Sequence, residues 1–297
     1  MARTESTATV RRALRREVPC TVGLLADEED FTAMRRYRTF TFDDHTTYLH
    51  QVEDLLKRLA SQGGHTSVAL FDPEDYADYC ARAGLDPDDP ASRSRFTAEV
   101  AATGARVTYS GQPMERLVPL LINQAVRQAT WEYATLLLAG DGACTRCGQD
   151  TARTALDRAA GLLHRLLQAA GAGTHHLVCS VPAQHEHLMA VLHAERTGTG
   201  PAELDPSEGA EFATVLAAGL ALENPGGLVL RTTTPGAPDR VHGWRLDRGR
   251  ILPLSAAEVF DAYCTDADTG EPVAPEHNVD YLAGFDITGD DDPPAHH

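Results

Sequence analysis

The stretch His176-Leu-Val-Cys-Ser-Val-Pro-Ala-Gln-His-Glu-His-Leu-Met-Ala-Val-Leu-His-Ala-Glu-Arg196 decides how the fold is read. Its first five residues, His176–Ser180, form a short apolar run suited to a buried strand. Pro182 to about Arg196 reads as a helix. A strand followed by a helix returns the chain for a parallel neighbour, because a parallel pair needs a long crossover and cannot be joined by a tight turn.

The same alternation appears on the N-terminal side. Thr21–Leu25 and Ser67–Phe71 read as buried strands, each followed closely by aspartate. Between them Tyr48, Leu49, Val52, Leu55, Leu56 and Leu59 recur at helical spacing behind Asp43 and Asp44, either of which can cap the helix. Arg36–Phe42 suggests an edge strand. Pro73 suits the first turn of the next helix. A helix over Ala91–Ala102, a strand at Arg106–Tyr109 and a long helix from Pro113 to Ala139 follow, with Pro119 requiring a kink or a later start. Asp150 or Thr151 opens the next helix, so that residues 113–170 form an αα-hairpin.

On the C-terminal side, Glu208–Glu223 reads as an apolar helix and the grammar then changes. Leu228–Thr233, Arg240–Leu246 and Arg250–Leu252 are three short strands, the last two joined by the Asp247-Arg-Gly249 turn. Ser255-Ala-Ala-Glu258 has the form of a capping box. The expectation is an α/β protein with a mostly parallel central sheet flanked by helices, an αα-hairpin insertion and a short C-terminal β-meander at 227–253. A basic flexible arm at 1–18 precedes a single domain at 19–264, and an acidic, largely irregular tail occupies 265–297.

Composition narrows the function classes. The 297 residues carry a net charge of −17. Eleven carboxylates and no Lys or Arg follow Arg250. So acidic a body repels nucleic acid at long range, which makes protein or small molecules the expected partners. No window has the roughly 18 to 20 uninterrupted apolar residues of a membrane span, and the N-terminus lacks a secretory apolar core. A cytoplasmic protein is expected. Six scattered cysteines do not make a disulfide scaffold.

Three groups of residues could carry chemistry. Cys144 and Cys147, in Cys-Thr-Arg-Cys-Gly148, place two sulfurs where one zinc ion can take both. That is half a tetrahedron. His176 and Cys179 are candidate further ligands, although residues three apart on a strand point to opposite faces. His164, His175, His185 and His187 are alternatives, and a homodimer could pool two Cys pairs. Redox exchange is disfavoured, because the next helix begins after the second cysteine.

The second group is Asp27, Asp72, Ser110 and Ser180 at the expected C-terminal ends of strands, where open parallel sheets bind ligands. Asp27 and Asp72 could hold a divalent cation for phosphoester chemistry. Both also fit the plainer role of helix cap or turn former. Ser180 could be a nucleophile, but the sequence identifies no base for it. The third group is the histidine cluster His175, His176, His185, His187 and His193. Two functions therefore stay open: a regulatory or interaction protein with a structural zinc site, and a small-molecule or phosphoester-processing enzyme built on the strand-end carboxylates.

Overall fold

A computed structural model of the protein describes residues 20–288, apart from 64, 141–150, 185, 267 and 268. The contacts divide the chain into two compact units, Met1–Gln128 and Ala129–His297, with the boundary inside the stretch expected to be one domain. Each unit has its own hydrophobic core.

The first unit is built on a three-stranded sheet in the order β1 (Cys20–Leu24), β2 (Thr66–Leu70), β3 (Arg106–Thr108). β1 and β2 are parallel and in register from Cys20↔Thr66 to Leu24↔Leu70. Their crossover contains α1 (Glu28–Met34) and α2 (His45–Ser61). Thr66 to Ala69 are all buried, as expected of a strand covered on both faces. Asp44 caps α2 by accepting from the Thr47 amide at 2.8 Å, and Tyr48, Val52 and Leu56 form the buried stripe four residues apart. α3 (Pro73–Ala83) starts with proline after its cap and stops at Gly84, whose φ of 64° is a conformation glycine adopts without cost. α4 (Pro90–Thr103) leads to β3, which runs antiparallel to β2. α5 (Met114–Gly140) contains Pro119 and carries the unit boundary.

Residues 36–42 are not the expected edge strand. The Arg38 amide donates to the Asp88 carboxylate at 2.6 Å and the Thr39 hydroxyl donates to the Asp88 carbonyl. Phe40 and Phe42 pack their rings on Tyr48, 6.0 and 5.1 Å between centroids. Aromatic packing and side-chain hydrogen bonds replace a strand ladder here.

The second unit overturns the mostly parallel sheet. It contains α6 (Thr151–Ala170), β4 (Gly173–Pro182), β5 (His187–Arg196), β6 (Glu203–Leu204), α7 (Pro206–Ala221), β7 (Gly226–Thr233), β8 (Asp239–Asp247), β9 (Arg250–Pro253), α8 (Ala256–Tyr263) and β10 (Val279–Leu282). The strand order is β10-β8-β7-β4-β5-β6, with β9 also paired to β8. All these pairings are antiparallel except β10 with β8.

The residues expected to be a helix after Pro182 are a strand. Leu188, Ala190, Leu192 and Ala194 are buried while His187, Met189, His193 and Glu195 are exposed. That is a period of two. The Ala183 amide donates to the Glu186 carbonyl at 2.8 Å and closes a hairpin. Pro182 is therefore the last residue of one strand, not the first of a helix.

α6 and α7 bury Leu162, Leu166, Phe212 and Leu216 in one core with Leu177, Leu192, Leu228 and Trp244. α8 lies over the opposite face, where Val259 meets Gly243 and the Phe260 ring meets Tyr281 at 5.5 Å. The β8–β9 turn has φ of 49° at Arg248 and 67° at Gly249, the paired positive values of a type I′ hairpin. Ser255 and Glu258 form the capping box of α8. Part of the acidic C-terminal stretch is also ordered: β10 joins the sheet, Ile287 is buried, and the Phe285 carbonyl accepts from the Trp244 indole at 2.8 Å.

Candidate functional site

In the first unit, Asp27 and Asp72 follow the C-terminal ends of the parallel strands β1 and β2. Both are helix caps. Asp27 accepts from the Asp30 amide at 2.8 Å, and Asp72 accepts from the Glu74 and Asp75 amides at 2.7 and 3.1 Å. Their charges converge on Asp30. Burial, then Asp27, Asp72, Glu29 and Glu74, push its carboxyl up to about 6. Beside them the Leu25 amide donates to the Tyr48 hydroxyl at 3.1 Å. Ser110 is at the other end of this sheet, because β3 runs antiparallel to β2; its amide and hydroxyl donate to the Gln112 side chain. No group of three His, Cys, Asp or Glu residues suited to a metal ion occurs among the described residues.

In the second unit, β4 sends His176 and Cys179 to opposite faces. Cys179 is fully buried opposite Ala190 and Leu228, and burial pushes its thiol up to about 12. It is a protonated core residue, while His176 is exposed on the other face. The opposite-face placement that the strand period predicts for these two candidate ligands keeps them from sharing one metal ion. Cys144 and Cys147 lie outside the described residues, as does His185.

The remaining histidines separate into distinct roles. His175 is a core residue bonded at Nδ1 to the Thr232 hydroxyl (3.0 Å) and at Nε2 to the Gly171 carbonyl (3.1 Å). Desolvation, ahead of the nearby Arg240 and Arg196 charges, lowers its pKa. His176 and His193 face each other across β4 and β5 with ring centroids 4.8 Å apart. Burial first, then His193 and Arg231, lower the pKa of His176. The carboxylate of Glu208 accepts from the His193 amide at 2.9 Å at the edge of β5. Arg231 is held by Asp239 at 2.7 Å and Glu276 at 2.9 Å.

Ser180 has a partner the sequence did not reveal: its hydroxyl is hydrogen-bonded to His187 Nε2 across the hairpin. The pair depends on the antiparallel register of β4 with β5, which a helix after Pro182 would not provide. No carboxylate pairs with His187 among the described residues, and the pair sits on an open sheet face. An acyl-transfer site needs an orienting group and oxyanion donors as well.

The second unit also contains a cavity of about 560 Å³, within the range of small-molecule sites. Two helices, the end of β5 with the connection that follows it, and Leu204 of β6 make its wall. α6 contributes Leu163, His164, Leu167 and Gln168, the end of β5 and its connection contribute Arg196 and residues 199–202, and α7 contributes Pro206, Gly209 and Ala213. The cavity exists because the short β6 pairs back onto β5 through Ala194↔Leu204 and Glu195↔Glu203, so residues 197–202 bow out between the two helices. Arg196 fixes the bow. Its Nε donates to the Gly200 carbonyl at 2.9 Å, and its Nη1 donates to the carbonyls of Leu167 (3.1 Å) and Gln168 in the last turn of α6. These are carbonyls that a helix end leaves without internal partners. No sequence signal marks the cavity, because its walls are drawn from residues about 50 positions apart.

The fold is thus a mixed α/β protein of two units, with strand-end carboxylates in one and an apolar cavity in the other. Residues 9–112 match the model of a domain of unknown function (DUF8829). That match concerns the first unit. No curated protein and no solved structure matches the chain.

Proposed function

We propose that this chain is a regulatory protein that binds a small molecule in the cavity between α6 and α7. The observation that carries this reading is the cavity itself: its size, its mainly apolar wall, and a loop held in place around it by Arg196. A binding role accounts for the wall better than catalysis does. Its described wall holds one imidazole, His164, and one hydroxyl, Thr199, but no carboxylate or thiol to complete a catalytic set with them. The strand-end carboxylates of the first unit are accounted for as helix caps. Cys144 and Cys147 keep their sequence reading as half a zinc site, which metal analysis of the purified protein tests.

Native mass spectrometry with a small-molecule library tests the cavity. Compounds that bind once per chain to the wild type should fail to bind an Ala213→Phe variant, whose larger ring occupies the space. Equal binding to both proteins would sink the proposal.

A further inference from the structure

We infer that the ligand of this cavity has an apolar body and one anionic head group, which the guanidinium of Arg196 receives. The inference rests on the cavity reading above and adds the ligand's charge. Arg196 is the only residue of the described wall with a full charge. A guanidinium has five N–H donors in a fixed fork. Three are engaged, by Gly200, Leu167 and Gln168. The two on Nη2 meet no protein acceptor among the described residues, and no carboxylate pairs with the group there.

The neighbouring acids are directed elsewhere. Glu195 and Glu203 pair across β5 and β6 at positions that alternate with the cavity-lining Leu204. Asp205 accepts from the Ser207 and Glu208 amides at 2.8 and 3.2 Å as the cap of α7. Glu208 accepts from the His193 amide. The last-turn carbonyls of α6 carry only the partial negative charge of a helix end, and two of them already accept from Arg196. A full positive charge thus faces an apolar wall without a counter-charge. A carboxylate or similar anion there gains a charge-assisted hydrogen bond that a neutral head group does not.

Isothermal titration calorimetry of the full chain with octanoate, octan-1-ol and octylamine tests this, since the three share one chain and differ at the head. Octanoate should bind about 10-fold more tightly than octan-1-ol, the equivalent of one charged hydrogen bond, and octylamine should show no binding. Ala213→Phe should abolish binding of both octanoate and octan-1-ol. Arg196→Gln, checked for folding by circular dichroism, should bind the acid and the alcohol equally. The wild-type ratio decides the question even if that variant does not fold.

Equal wild-type affinity for octanoate and octan-1-ol, both lost in Ala213→Phe, would overturn the anionic head and leave the cavity reading standing. Absence of binding by all three would overturn both. A preference for octanoate that persists in folded Arg196→Gln would overturn the assignment to Arg196.

Discussion

The two units solve the same problem, how to continue after a buried strand, in opposite ways. In the first, β1 ends before Asp27 and the chain crosses over through α1 and α2, so β2 comes back parallel. In the second, β4 ends at Pro182 and β5 comes back antiparallel, with the Ala183 amide donating to the Glu186 carbonyl at the turn. An apolar strand does not announce its successor. What differs is the chemistry just after it: an aspartate whose carboxylate takes free helix amides in one unit, and a turn closed by its own backbone in the other.

The largest effect expected from breaking this comparison is in β5. Leu192→Ala should lose about 3 kcal/mol of stability in urea unfolding followed by far-UV circular dichroism, because Leu192 is fully buried. Met189→Ala, on the exposed face of the same strand, should change stability by less than about 0.5 kcal/mol. In a helix, residues 189 and 192 would share a face. Similar losses for both variants would therefore contradict the strand.

A middling effect belongs to the first unit. Asp72→Ala removes the acceptor of two amides at the start of α3 and should cost about 1 kcal/mol. Asp72→Asn should restore most of it, since an asparagine side chain also accepts. If asparagine fails to rescue, the carboxylate has a role beyond capping.

The smallest effect depends on pH. Asp30 is raised from the ordinary value of 3.8 to about 6, chiefly by burial and then by Asp27 and Asp72. The folded state therefore holds this proton more tightly than the unfolded chain. Its contribution is fully favourable below about 4 and is lost as pH rises through about 6. Much of the group is solvated, so screening keeps the effect below about 1 kcal/mol. Asp30→Asn should gain stability relative to the wild type as pH rises from 4 to 7. A constant difference across that range would show that Asp30 titrates normally.

The sequence was most legible where side chains act locally. Asp44 before Tyr48, Asp72-Pro73, and Ser255 with Glu258 each give a helix start from within a few residues. The Asp247-Arg-Gly249 turn is legible for the same reason. β5 was misread because Leu, Met and Ala are good helix formers, while its strict alternation is satisfied only in the register with β4. The expected separation of His176 and Cys179 on a strand follows from the period of two and is found in β4. The pairing of Ser180 with His187, and the cavity around Arg196, depend on contacts between distant segments, which local pattern does not encode.

One consequence follows from where the two tryptophans fall. Trp131 and Trp244 both belong to the second unit, and the first unit's rings are tyrosine, phenylalanine and histidine. Indole fluorescence therefore sees one unit only. Trp131 is 44% exposed and Trp244 is 1% exposed, with its N–H held by the Phe285 carbonyl. The blue side of the emission band thus becomes an optical gauge of whether residues 279–288 are docked, readable without any added label.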